Sequence, residues 1–319
     1  MAMPATPPAA PPDAPPDARP QGQEQDFLTT KEVADYLRIK ERRVYDLVRQ
    51  RAIPCTRVTG KWLFPRALID LWLAEGAEGE RPVRPPPVLA GSQDPLLDWA
   101  VKESGCDLAS LQGGSLDGIK RFAEGAAVAA GLHLFDAESG DFNLPALRAN
   151  LAGPVLARQG LVLIEWARRR QGLVVAAGNP HGVATLGDLK TKGLRVMRRQ
   201  SEAGSHLLLA HLLAQAGLTF EDLSLCEETA RGETDLGLAI LEGRADAGLA
   251  VQAVAGTLKL GFVPLMEERY DLLLRRRDFF EAPFQALLAF ARGPALAARA
   301  ELMGGYDISG LGRVHYNGP

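Results

Sequence analysis

Two proline-rich stretches divide this chain into pieces that fold separately. The first 25 residues, MAMPATPPAAPPDAPPDARPQGQEQ, hold too few large apolar side chains to build a core. They predict a disordered tail. The second stretch, GAEGERPVRPPP from Gly76 to Pro87, predicts a semi-extended linker. A short segment, 26–75, lies between them, and 88–319 follows the linker. The latter is long enough for a substantial core.

Composition narrows the function classes. A net charge of -3 argues against a protein that coats nucleic acid or membrane over its whole surface, and leaves room for a local basic patch. The three cysteines, Cys55, Cys106 and Cys226, are far apart, and no C-x-x-C pair exists. They support neither a disulfide framework nor a zinc ribbon, and they fit a reducing, cytoplasmic location. The N-terminus lacks the basic region and unbroken apolar run of a secretory signal. No window approaches the roughly 20 apolar residues of a membrane span, so no membrane partner is expected.

The short segment opens with helix signals. Thr29 with Glu32 three residues on forms a capping box, and Leu28 can staple onto Val33. Val33, Tyr36 and Leu37 then share one face. A second helix is predicted from about Glu41 to Arg51, with Val44, Leu47 and Val48 at i, i+3, i+4. Two such helices across a tight turn have the size of a helix-turn-helix. IPCTRV, TGK and WLF then predict a hairpin, hence a wing. Pro65 starts a last helix whose expected buried stripe is Leu68, Ile69, Trp72 and Leu73. From Arg38 to Arg66 there are nine basic and two acidic residues, a net +7 on an acidic chain. Phosphate neutralisation needs that concentration of charge.

The run LTTKEVADYLRIKERRVYDLVRQRAIPCTRVTGKWLFPRALIDLWL resembles the excisionase-type winged helix-turn-helix family, a relative of the MerR DNA-binding domain. The resemblance implies a double-stranded DNA operator as partner. It places Arg42, Arg43, Tyr45 and Arg49 at the major groove. Thr59 to Lys61 become the wing, beside the backbone or minor groove. Thr30 and Arg57 complete the expected DNA-facing set. One such module buries only about 600–1,000 Å² on DNA, so a homodimer on a pseudo-palindrome is expected.

The long segment alternates strands and helices. Strands are predicted at Val88–Ala90, Ala127–Leu132, Leu161–Trp166, Gly172–Ala176, Leu194–Met197, Ala247–Val251, Phe262–Leu265 and Tyr270–Leu274. Helices should start near Asp94, Leu116, Leu144, Leu186, Ser205, Thr234, Pro283 and Pro294. Three strand-to-helix junctions, GSQDP at Gly91, GGSLDG at Gly113 and SEAGSH at Ser201, pair glycine with serine. Glycine lets the backbone approach a ligand. The free N–H groups of a helix start favour an anion.

AGSQDPLLDWA, GGSLDGIKRFAEG, AAGLHLFDAESGDFNLPAL, RRRQGLVVAAGNPHGVATLGDL, VMRRQSEAGSHLLLAHLLAQAGL, EGRADAGLAVQAVA, FVPLMEERYDLL and GGYDISGLG resemble the cytoplasmic periplasmic-binding-protein-like domain fused to bacterial DNA-binding domains, a molybdate-associated family. The fold this implies is multidomain: an N-terminal winged helix-turn-helix plus a bilobed α/β type II domain. Lobe one would be about 88–170 and 271–319, and lobe two about 180–263. The chain would cross between lobes near Gln171–Asn179 and Pro264–Tyr270. By the same resemblance Ser92 and Ser115 face the cleft from lobe one and Ser205 from lobe two. His133, Asn143, Arg170, Gln171, Arg199, Thr234 and Tyr270 complete the implied ligand set. The implied effector is molybdate, tungstate or a molybdenum cofactor. Glu202 and Asp235 depart from the family pattern, and both put a bare oxyanion in question.

No Ser-His-Asp order, zinc signature, Walker loop or dinucleotide fingerprint stands out. The adjacent carboxylates Glu227–Glu228 and Glu267–Glu268 read as solvated. A one-component transcription regulator is therefore expected rather than an enzyme. The alternatives are a sensor of another small anionic metabolite and an excisionase-like accessory protein.

Overall fold

The computed structural model describes residues 26–58, 60–75, 84–151 and 160–318. The expected tail, most of the expected linker and Thr59 lie outside these residues. The chain divides between Gly79 and Glu80 into two compact units.

In the first unit, β1 (Phe27–Thr29) leads into α1 (Thr30–Leu37) and α2 (Glu41–Arg49). The antiparallel pair β2 (Thr56–Val58) and β3 (Lys61–Pro65) follows, then α3 (Arg66–Glu75). Both arms of the capping box are present: Glu32 N donates to Thr29 Oγ1, and Thr29 N to Glu32 Oε2. Val33, Val44, Ile53, Phe64 and Ile69 form the core with Leu28. Leu28 enters it from a strand, because β1 pairs with β3 and so fixes the start of α1 to the wing.

Three details differ from the sequence reading. The second helix ends at Arg49, two residues early, and Arg51 takes a left-handed conformation. Leu68 and Leu73 are exposed, at 47% and 42%. Only Ile69 of the expected α3 stripe is buried, with Trp72 packed partly against the core. Tyr36 is 40% exposed and ties α1 to α3 by donating to Asp70 Oδ1 at 2.6 Å.

The second unit runs β4 (Val88–Gly91), α4 (Pro95–Ser104), β5 (Ala109–Gln112), α5 (Ser115–Ala123), β6 (Ala129–Leu132), α6 (Leu144–Asn150), β7 (Leu161–Val175), α7 (Leu186–Thr191), β8 (Arg195–Arg199), α8 (Gly204–Gln215) and β9 (Ser224–Ala230). It continues with α9 (Glu233–Leu241), β10 (Ala247–Val251), α10 (Gln252–Leu258), β11 (Gly261–Arg275), α11 (Arg276–Phe279), α12 (Ala282–Ala291), α13 (Pro294–Met303), β12 (Tyr306–Asp307) and β13 (Val314–Asn317).

The strands form one mixed sheet in the order β5-β4-β6-β11-β7-β10-β8-β9, with β12 and β13 also on β7. Its two ends are parallel and carry the helices. Its centre is the antiparallel pair β7 and β11, each 15 residues long. These two strands belong to both lobes. Ile164 and Trp166 pack into one core with Leu272 and Leu274. Leu173 and Val175 pack into another with Leu194, Leu209 and Leu249.

This corrects the sequence reading in one important way. Leu161–Trp166 and Gly172–Ala176 are one strand, not two strands flanking a loop at Gln171. Phe262–Leu265 and Tyr270–Leu274 are likewise one strand, which absorbs irregularities after Pro264 and Tyr270. Arg168, Arg169 and Glu268 interrupt the hydrophobic run without ending the strand, because they pair across the ladder. Along β7, Ala167 belongs to the first of these cores and Leu173 to the second.

Candidate functional site

The parallel strands deliver their carboxyl ends to the line where the lobes meet, the position open α/β sheets use for ligands. From lobe one, β4 leads through Ser92 into α4, and β5 leads through Gly114 into α5. From lobe two, β8 leads into α8 and β9 into α9. Four helix N-termini thus face one region, each with a positive dipole end, but the first N–H groups of α4 are already taken: Leu96 N donates to the Tyr306 hydroxyl and Leu97 N to Asp94 Oδ1.

The lobes meet through glycines. A methyl group built on Gly204, at the start of α8, would sit 2.9 Å from His133 Cε1 and Nε2. One on Gly114 would sit 3.0 Å from the Glu202 carbonyl oxygen, and one on Gly232 2.6 Å from Gln93 Oε1.

Serines mark both sides of this line. Ser92 Oγ and Ser115 Oγ lie 2.9 Å apart, and Ser115 Oγ accepts from His133 N at 3.2 Å. Ser205 is 1% exposed, and its hydroxyl has no hydrogen-bond partner. Gln171 is fully buried, with both amide hydrogens directed at carboxylates: Glu268 Oε1 at 3.0 Å and Glu233 Oε1 at 3.2 Å. Gln171 Oε1 has no partner.

Behind these groups lies a buried ionic network. Arg169 donates to Asp94 Oδ2 at 3.0 Å and to Glu268 Oε1, and stacks over the Tyr270 ring. Glu268 Oε2 lies 2.9 Å from His133 Nδ1. Burial pushes the Glu268 carboxyl up, but Arg169 and His133 outweigh it and hold the group at about 2. With that carboxylate ionised, Nδ1 carries the proton and Nε2 faces lobe two. Asp94 also accepts from Trp166, Tyr306 and the Leu97 N–H, which ties the start of α4 to the crossing strand. Glu233 accepts from Val251 N at 2.9 Å in lobe two.

Several expected site residues do other work. Tyr270 is fully buried and donates to the Ser92 carbonyl, so it braces that loop from beneath. Gly131 leaves room for it, because a methyl there would overlap the Tyr270 hydroxyl. Asn143 accepts from Leu134 N and donates to Leu132 O and Asp271 Oδ2, which makes it a clamp on β6. Arg199 donates to the carbonyls of Ala230 and Arg231, and holds the turn into α9. Thr234 lies partly buried in the first turn of α9. Arg170 is exposed, because side chains alternate along β7 and the inward residues there are Arg169 and Gln171.

Glu202 and Asp235 are also exposed. Asp235 accepts from Gly232 N at 3.1 Å. The carboxylates that do occupy the meeting line are Asp94, Glu233 and Glu268. The reading of Glu267–Glu268 as solvated holds only for Glu267, which pairs outward with Arg168 at 3.4 Å, while Glu268 is 1% exposed. Two-residue alternation across ARRRQG and MEERY would have found Arg169 and Glu268, had each run been read as a single strand.

On the first unit, Arg42, Arg43 and Tyr45 are exposed along α2, and Arg49 pairs with Asp46 at 3.4 Å. Thr30 is partly exposed at the start of α1. On the wing Arg57 lies 5.4 Å over the Trp62 ring, Gly60 makes the turn at φ 84°, and Lys61 is exposed. Thr59 is outside the described residues.

Two α/β lobes on a pair of shared strands, with helix N-termini facing across the junction, define a periplasmic-binding-protein-like ligand-binding domain. The sequence model described as the PBP superfamily domain matches residues 98–292, and the chain belongs to that family. A helix-turn-helix domain model matches residues 27–77. The uncharacterized protein YvgK of Bacillus subtilis (strain 168) is 26% identical over 309 residues, covering 91% of this chain and 98% of YvgK. A Clostridium pasteurianum protein from the 5' region of a ferredoxin gene is 30% identical over 95 residues, 30% of this chain and 75% of its own. Among solved structures, a Clostridium perfringens protein assigned to phosphate ABC transport as substrate-binding protein, with phosphate bound, superimposes at a TM-score of 0.50 and 12% identity. It covers 66% of this chain and 96% of its own. That likeness shows the fold. The chain is thus a helix-turn-helix protein carrying a small-ligand-binding domain. Among the described residues, no helix is long and apolar enough to cross a membrane.

Proposed function

We propose that the protein is a cytoplasmic, one-component transcription regulator whose cleft closes on a small anion and thereby alters operator binding. The observation that carries this reading is the close approach of helix starts from two lobes at Gly114 and Gly204, with Ser92 Oγ against Ser115 Oγ on one side and the buried, unpartnered Ser205 hydroxyl on the other. Neutral hydroxyl and N–H donors solvate a permanently charged anion without depending on pH. Molybdate and tungstate are the first candidates, and a molybdenum cofactor is the larger one. Arg42, Arg43, Tyr45, Arg49 and Lys61 contact operator DNA, with two protomers on a pseudo-palindrome. A ligand shifts DNA binding only by its differential affinity for the closed state. Two matched non-enzymatic domain types support a sensor over a catalyst.

The test is calorimetry on the full chain with molybdate, tungstate and a pterin anion, beside operator binding in a gel-shift titration. Ser115→Ala should lose the ligand response and keep operator binding. Equal anion binding after Ser92 and Ser115 are both replaced by Ala would remove the proposed site. A single protomer per operator would remove the dimer.

A further inference from the structure

The amide of Gln171 says something about the anion that the serines do not. Its nitrogen is committed to two carboxylates, Glu268 Oε1 and Glu233 Oε1. Turning the amide over would set its carbonyl oxygen against both of them, so its orientation is fixed by charge. The carbonyl oxygen, Oε1, diverges from those carboxylates and is buried without a donor. A buried acceptor without a donor carries a desolvation penalty that a bound partner removes.

The charge balance points the same way. Asp94, Glu233 and Glu268 are buried along the meeting line, against the guanidinium groups of Arg169 and Arg199. Arg169 and His133 are already engaged by Asp94 and Glu268, and Arg199 is turned to backbone carbonyls. A dense, fully deprotonated dianion gains little from that field.

We infer that the cleft selects an anion that itself donates a hydrogen bond to Gln171 Oε1, over a bare oxyanion with no proton. The donor is either a protonated oxyanion's own O–H, or an N–H or O–H on an organic anion. This rests on the anion-sensor reading above, and it moves molybdate and tungstate below a pterin-bearing ligand.

The experiment is calorimetry at pH 7 on the full chain with four probes. Inorganic phosphate keeps a P–OH at that pH, and 6-carboxypterin carries N–H donors. Sulfate and molybdate carry no proton. Phosphate, 6-carboxypterin or both should bind at least about tenfold tighter than sulfate and molybdate. Which of the two does so separates the inorganic donor from the organic one. Gln171→Leu should shrink the preference to about twofold, and the wild-type ranking stands by itself should that variant fold poorly. Sulfate or molybdate binding as tightly as both donor-bearing probes overturns the inference and leaves the anion sensor standing. No binding by any of the four, in protein that still binds DNA, overturns both.

Discussion

Arginine does opposite work in the two units. On the helix-turn-helix, Arg42 and Arg43 are exposed, and Arg49, also exposed, pairs with Asp46 on its own helix. At the crossing between lobes, Arg169 is fully buried between Asp94 and Glu268, with Tyr270 against its face. The first arrangement keeps charge available to an external polyanion, in a setting where ionic strength sets the energy. The second spends the charge inside the protein, where screening is weak and every neighbour must be satisfied. A substitution that is mild in one place should be severe in the other.

The largest expected effect tests that contrast directly. Arg169→Met removes the cation and leaves Glu268 and Asp94 buried without it. Denaturant unfolding of the full chain should show a loss of about 3–5 kcal/mol, the scale of breaking a buried pair from one side. Arg43→Met should change stability by less than about 0.5 kcal/mol. A loss below about 1 kcal/mol for Arg169→Met would mean that the network does not hold the lobes as described.

A second test uses two buried carboxylates with opposite behaviour. Glu268 is held low by Arg169 and His133. Asp271 is pushed up to about 6, because its burial outweighs Arg269 and Asn143 beside it. For Asp271 the folded state binds the proton more tightly than the unfolded chain, whose ordinary value is 3.8. Its contribution is therefore most favourable below about pH 4 and is lost as pH rises through about 6. The loss is on the order of 3 kcal/mol. Subtracting the stability profile of Asp271→Asn from that of wild type should give a difference that falls across this window. A flat difference would show that Arg269 neutralises the group completely.

The sequence carried the architecture further than it carried the site. The capping box at Thr29 and Glu32 was legible because its two residues sit at a fixed local spacing. The serines at Ser92, Ser115 and Ser205 were legible because each stands beside glycine at a strand-to-helix junction. Arg169 and Glu268 were not, although they are central to the cleft. They lie 99 positions apart in sequence and become partners only through the β7–β11 register, which local pattern does not encode. Charged residues inside a strand also mimic a loop. That is why no strand was expected between Trp166 and Gly172, while Arg170, the outward residue, entered the expected set through the resemblance alone. The exposed Leu68 and Leu73 on α3 show the converse error. Helical spacing alone does not say how wide a face the neighbouring elements cover.

The DNA-binding side is expected to respond through affinity rather than stability. Arg43→Ala should weaken operator binding by about 1–3 kcal/mol if its guanidinium reads a base edge. The unfolding midpoint should not move, because the side chain is exposed. An unchanged affinity in a gel-shift titration would take Arg43 out of the groove.

The smallest expected effect is the most diagnostic of how the wing is used. Lys61 opens β3 immediately after the Gly60 turn, and its ammonium is exposed. A lysine placed there acts on phosphate as a point charge and reads no base. Lys61→Ala should therefore weaken binding to operator and to random duplex alike. The slope of log K against log salt should become shallower by about one unit. Base reading by Arg43 predicts the reverse pattern, with discrimination lost and the slope nearly kept. Measuring both variants on both duplexes at several salt concentrations separates the two roles. A Lys61→Ala protein that keeps its full salt slope while losing discrimination would place the wing at a base edge, and would make the exposed arginines of α2 the backbone contacts instead.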